Sequence, residues 1–321
     1  MNRISKKQAL GFVSSFRAAI ILVIMCIIAS FLSPAFLSVT NLFNVIRQVA
    51  VVAIVACGMT FVILTGGIDL SVGSIIGLAG AVSAGVLASA GSVALSIGAG
   101  IAVGIVCGAA NGFFVAKWGI PPFIATLGMM TLLRGCVLVY TKGAPIPVKS
   151  DIYKFFGKGD LLGVPVPIVL LIVIYLCAYA VLGHTKYGRS VYALGGNREA
   201  TRLSGIPVVR TEWITYTING LMCGIAAIVL TARLGSAQST GGSGYELDAI
   251  AAVILGGTSL SGGSGFVLPT VVGALIMGII DNILTLLNVN PHATSIVKGA
   301  VILVAVLADK KVKDLSTKVN E

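Results

Sequence analysis

Charge is scarce in this sequence. Of 321 residues only 10% are Asp, Glu, Lys or Arg, against about 25% in a typical soluble domain. The apolar set fills 57% of the chain, with 40 further glycines, and mean hydropathy is +1.03. A water-soluble fold could not cover itself with so little polar surface, so a soluble enzyme and a disordered chain are excluded and lipid is the expected solvent. Histidine occurs twice, at His184 and His292; neither HExxH nor HxxEH is present, which leaves no evident metal site. The six cysteines lie in or at the edge of apolar runs with no CxxC pair, and read as small packing residues. There is no GxxxxGK[ST] loop to hold ATP and no GxSxG nucleophile elbow. An Arg-rich sensor helix and a TVGYG-like filter are also missing, which argues against a channel. The net charge of +11 suggests nucleic acid, but the basic residues sit at the ends of apolar runs, not in one patch with aromatics between them.

Long apolar runs are what the chain does have. A helix needs about 20 apolar residues to cross a hydrocarbon core. Spans are expected near 18–34, 46–65, 71–89, 92–116, 122–140, 165–183, 213–232, 249–262, 265–287 and 293–308. This predicts an all-α polytopic membrane protein: one transmembrane domain over 18–308 between tails 1–17 and 309–321. The first span is expected to stay uncleaved, because no A-x-A site follows it and Pro34 comes soon after. The eighth span is doubtful in length, since Ala249 to Leu255 offers seven apolar residues before Gly256 and Gly257. With ten spans both tails share a side, and that side would hold 14 basic residues against 6 on the other. The richer side is read as cytoplasmic.

Gly100, Gly104, Gly108 and Gly112 recur every four residues, which places them on one helical face for close packing against a neighbour. Two glycine-rich segments, 66–74 and 256–264, match at six of nine positions, each just after Val-Ile-Leu. They read either as tight turns at span ends or as unwound segments of a transport site. Polar residues near spans need a reason. Asp69, Ser71, Asn111 and Asn219 are candidates to line a translocation path, Arg134 lies within the fifth span, and Asp281 and Lys298 are placed to pair across a helical hairpin.

The loop 184–212 is longer than a plain connection requires. Asn197 is placed to cap a short helix with Glu199 in its first turn, closed by Gly205 and stopped by Pro207. Such a helix, with Arg198, Arg202, Leu203 and Ile206 on its surface, suits docking on a soluble partner.

Glu199, Ala200, Gly205, Ile206 and Pro207 resemble the E-A-A…G…I-x-L-P signature of ABC importer permeases, with Thr201 where that signature has its second Ala. The segments VILTGGIDLSVGS (62–74), FIATLGMMTLLRG (123–135), GRSVYALGGNREATRLSGI (188–206) and YELDAIAAVILGGTSLSGGSG (245–265) resemble the permease subunits of ribose-type importers, within the monosaccharide and branched-chain amino-acid permease family. The resemblance covers about residues 34 to 309. It implies a fold like that of vitamin B12-type permeases, a homodimer in the bacterial inner membrane, and termini in the cytoplasm. It also implies an ATPase subunit carrying ATP and Mg on a separate chain, of one or two polypeptides, and an extracytoplasmic sugar-binding protein. No cofactor is expected in this chain, and no nucleic-acid partner. Gly195, Gly196, Asn197, Glu199, Ala200, Thr201, Arg202 and Gly205 would form the ATPase-coupling element. Ribose is the expected cargo; xylose, galactose and autoinducer-2 importers share the motifs. An ion-coupled transporter using Asp69 or Asp281 is the rival reading.

Overall fold

The computed structural model describes residues 6–320, with side chains described outside 6–17, 291, 305 and 308–320. The expected tails 1–17 and 309–321 fall outside those side chains. Helices dominate: α1 (Lys6–Leu32), α2 (Val39–Leu64), α3 (Val72–Ala90), α4 (Val93–Gly112) running into a π-helical turn (Phe113–Lys117), and α5 (Pro122–Thr141). Next come β1 (Ile146–Pro147), α6 (Asp151–Lys158), β2 (Asp160–Leu161), β3 (Val164–Pro165), α7 (Val166–His184), α8 (Lys186–Gly196) and α9 (Arg198–Leu203). The chain continues through α10 (Val208–Leu234), β4 (Ser236–Ala237), α11 (Tyr245–Leu255), α12 (Val267–Leu286) and α13 (Pro291–Asn320).

Among the described residues seven helices are long and apolar enough to cross a membrane: α2, α3, α4 with its π turn, α5, α7, α10 and α12. The all-α polytopic class holds, and seven of the ten expected spans meet this measure. The first and tenth expected spans coincide with shorter apolar stretches, Ala18–Leu32 and His292–Val304. The eighth is a broken element: α11 has 11 residues, about 16 Å of rise, and ends where Gly256 and Gly257 leave the helix. Two further expectations change at the loops. The connection 184–212 shortens to 185–207, because α10 begins at Val208. The connection 141–164 carries α6, capped by Ser150 and anchored where the buried Tyr153 hydroxyl lies 2.8 Å from Ser83 Oγ. β1 pairs antiparallel with β4, Ile146 opposite Ala237, and ties this loop to the end of α10.

In lipid no hydrophobic force pulls apolar helices together, so close van der Waals packing and interhelical hydrogen bonds must hold the bundle. The sequence is built for that. Every residue of α2 from Val49 to Leu64 is buried, and many are small: Ala50, Ala53, Ala56, Cys57 and Gly58. The helix is surrounded by α7, α10, α11 and α12. The tightest crossing is α4 on α10. Gly104 and Gly108 meet Gly220 and Gly224 backbone to backbone, Gly100 packs on Ile228 and Ser83, and Gly112 abuts Trp213. A side chain at Gly104 or Gly108 would run into the carbonyl of Gly220 or Tyr216.

Candidate functional site

The element with the most surface to offer lies between α7 and α10. Its first helix, α8, was not foreseen. Thr185 caps it, accepting from Gly188 N at 3.0 Å. The helix is pinned on two sides: Tyr187 Oη lies 2.8 Å from Thr215 Oγ1 on α10, and Tyr192 Oη donates to Gly265 O at 2.9 Å. Asn197 then breaks the helix and caps the next, its Oδ1 accepting from Ala200 N at 2.9 Å. The expected short helix is α9. Gly205 terminates it with φ +79°, a backbone conformation that glycine adopts without strain.

Within α9 the residues divide cleanly. Thr201 is the buried one, its hydroxyl bonded to Asn197 O at 2.7 Å. The third position of the signature, uninformative from sequence, is thus the inward anchor. Glu199, Ala200, Arg202 and Leu203 face outward, with Leu203 73% exposed. Arg202 Nε donates to Glu199 Oε2 at 3.0 Å; this contact holds the Glu199 carboxyl below its usual range and raises the Arg202 guanidinium. Arg198 bonds Glu212 Oε1 at 2.8 Å and ties α9 to α10, and the hydrogen bond to Glu212 raises the Arg198 pKa. An exposed rigid turn carrying a neutralised pair and a bare leucine can transmit a push from outside into α10 and α8.

The end of α8 is where that push would arrive. Gly195 lies directly against Leu64 O and Gly263 N, with no room for a Cβ, and Gly262 packs on Gly66 and Gly195. Gly263 N donates to Leu64 O at 2.9 Å. The two glycine-rich segments therefore meet each other at Gly66 and Gly262, and the second segment and Leu64 meet the end of α8 at one backbone junction. Gly196, also expected in the coupling element, has open space at its Cβ position.

The four expected path residues also come together, although they are 2 to 150 positions apart in sequence. Asp69 Oδ1 accepts from Ser71 N at 2.9 Å and Ser71 Oγ at 2.6 Å. Asp69 Oδ2 accepts from Asn219 Nδ2 at 2.9 Å, and Asn111 Nδ2 donates to Ser71 Oγ at 2.7 Å. All four are fully buried within the chain. The carboxylate is held by neutral donors, with no cation in salt-bridge range among the described residues. The cluster joins the 66–74 segment to α4 and α10 beside their glycine contact.

Near the opposite end, Lys298 Nζ lies 2.9 Å from Asp281 Oδ1, the pairing expected from sequence. It also lies 2.9 Å from Asp248 Oδ2 on α11, a partner that was missed. Asp248 stands in the first turn of a broken helix, and that break was the one signal available. The fifth-span Arg134 donates to Gly241 O at 3.1 Å. No group of His, Cys, Asp or Glu able to hold a metal ion is found among the described residues.

Residues 41–306 match the protein family described as branched-chain amino acid transport system / permease component. The chain belongs to that family. This permease is 49% identical over 299 residues to the ribose import permease protein RbsC of Escherichia coli strain K12, covering 92% of this chain and 93% of that one. It is 49% identical to RbsC of Bacillus subtilis strain 168, covering 90% and 91%. The L-arabinose transport system permease protein AraH of Escherichia coli strain K12 is 36% identical, covering 91% and 89%. No solved structure gives a significant match. The permease is a multi-pass membrane transport subunit rather than an enzyme.

Proposed function

We propose that this permease is the membrane-spanning subunit of an ATP-driven importer for D-ribose. The observation that carries the cargo is the step in identity, 49% to the ribose permeases against 36% to the arabinose permease at equal coverage. ATP and Mg belong to a separate ATPase subunit in this reading, and an extracytoplasmic binding protein delivers the sugar. Two copies of the chain enclose the path, in the bacterial inner membrane. The end bearing α8 and α9 is the cytoplasmic one, supported by the surplus of basic residues on that side.

Closure of the ATPase pushes α9. The Asn197 cap, the Arg198–Glu212 bridge and the Gly195 junction pass the displacement to α10 and to both glycine-rich segments. Nucleotide shifts the permease between outward and inward states only through its different affinity for the two. Asp69, Ser71, Asn111 and Asn219 act on the path by holding the α4–α10 crossing, not by touching sugar, which their full burial supports. A pentose carries hydroxyls and no charge, so neutral polar and backbone groups suit its passage.

Labelled-ribose uptake in cells lacking this chain, with the gene restored as control, tests the cargo. Uptake that vanishes, returns with the gene, and is competed only by ribose supports the reading; unchanged uptake, or equal competition by xylose, galactose or autoinducer-2, overturns it. Glu199→Gln and Gly205→Val test the coupling: uptake falls while membrane levels stay normal, and wild-type uptake in both variants sinks it. Loss of uptake to a protonophore at normal ATP would favour ion coupling through Asp69 or Asp281 instead.

A further inference from the structure

Beside α9 the structure contains an unfilled cavity of about 630 Å³, walled by the π turn after α4, the 206–210 corner and the first turns of α10. Its wall is apolar, formed by Phe113, Ala116, Ile206, Val208, Val209 and Trp213. Its rim is cationic: Lys117, Arg198, Arg202 and Arg210. Arg202 is occupied by Glu199 and Arg198 by Glu212, the two nearby acids. Lys117 and Arg210 have no carboxylate partner among the described residues; Lys117 Nζ instead sits 5.1 Å above the Phe113 ring.

The aromatic groups around it are those of a membrane boundary. The chain has two tryptophans: Trp213 lines the cavity, and Trp118 packs beside its Phe113 wall. Trp213 is 42% exposed and its Nε1 donates to Ala109 O at 2.9 Å; Trp118 is 63% exposed and packs 5.2 Å from the Phe113 ring. Tryptophan prefers the headgroup depth, where one part of the ring is dry and another is wet. A π turn continues α4 over Phe113–Lys117 and leaves Lys117 and Trp118 exposed at its end.

We propose that this cavity is a binding site for one anionic phospholipid, with its phosphate at Lys117 and Arg210 and the upper part of an acyl chain along the Phe113–Trp213 wall. Charge complementarity selects this occupant. A neutral lipid would leave two cations unmatched. An acidic protein surface would match the cations but would bring its own hydration against an apolar wall. An amphiphile with one negative head fits both. The site depends on the proposed orientation only in drawing its lipid from the anionic cytoplasmic leaflet.

Trp213 lines the cavity, so quenching of its fluorescence, read in a Trp118→Phe background, measures the site. The full-length permease is reconstituted in phosphatidylcholine bilayers, and brominated phosphatidylglycerol or brominated phosphatidylcholine is added to both leaflets at equal mole fraction. This arrangement reads lipid selectivity whatever the cargo or orientation, so failure here and failure of the transport reading are distinguishable. Brominated phosphatidylglycerol is expected to bind about threefold or more tightly, a preference that weakens with salt and survives excess inorganic phosphate. Lys117→Gln and Arg210→Gln each reduce the preference, and the double variant removes it. Equal quenching by the two lipids in the Trp118→Phe background overturns the proposal and needs no charge variant to fold. So does a preference that persists in the double variant, or displacement of the lipid by inorganic phosphate. Equal quenching that both lipids lose when the ATPase subunit is added overturns it too and gives the cavity to a protein partner.

Discussion

The two glycine-rich segments begin alike and end differently. In each, Val-Ile-Leu closes a helix with the same turn: Gly66 N donates to Ile63 O and Gly67 N to Val62 O, as Gly257 N does to Ile254 O and Thr258 N to Val253 O. The left-handed residue is Gly66 in one and Gly257 in the other, at φ +81° and +92°. These caps are offset from the best sequence match by one residue. Beyond them the match resumes, since Ser71 N bonds the Asp69 side chain and Ser261 N the Ser259 side chain two positions back. From there the segments diverge. The first enters α3 at once and buries Asp69 in the α4–α10 crossing. The second makes a wider excursion before α12 and lays Gly262 and Gly263 against Gly195 and Gly196. One segment is locked by a polar cluster and the other by backbone contact, and only the second touches the loop that carries α9.

The largest effect should come from breaking the backbone lock. Gly195→Ala forces a Cβ into Leu64 O, where backbone must move; overpacking of about 3 kcal/mol is expected, with ribose uptake lost, while Gly196→Ala, with open space around it, keeps uptake near normal. Equal uptake in the two variants would remove the lock from the coupling route. Next is the polar lock. Asp69→Leu strands donors from Ser71 and Asn219, at about 1–3 kcal/mol each, and should lower the thermal midpoint of the purified protein by about 5 °C or more. The matching change Ser259→Ala removes a 3.4 Å bond and should shift it by less than about 1 °C.

The shared caps give a smaller, symmetric effect. Gly66→Ala and Gly257→Ala each place a side chain in a left-handed conformation, at about 1–2 kcal/mol, so their midpoints should fall by similar amounts. Smallest is the Glu199–Arg202 pair. Its depressed carboxyl pKa means any stabilisation is present above the ordinary carboxylate value and lost only as pH falls through the lower folded one. Both groups are solvent-exposed, so the midpoint should be flat from pH 7 to about pH 5; a clear fall in that window would show the pair holding the fold as well as the docking surface.

Sequence alone determined the solvent, the helix class and most span positions, because apolar length and charge placement are local quantities that lipid reads directly. It also determined the Asn197 cap, the Gly205 stop and the glycine face of α4, since capping and four-residue spacing act within one or two turns. It missed α8, whose mixed polar and apolar residues form a helix only against α10 and the second glycine-rich segment. The length of the eighth span stayed open in the sequence because composition cannot show where a helix stops short inside a bundle, as α11 does at Gly256. Only the tertiary structure decided that Asp69 meets Asn219, that Lys298 serves Asp248 as well as Asp281, and that Gly195 lies on Leu64 and Gly263. Apart from the Lys298–Asp281 pair, those contacts join residues from 50 to 150 positions apart. They depend on which helices are neighbours, and packing of the whole bundle settles that where no local pattern can.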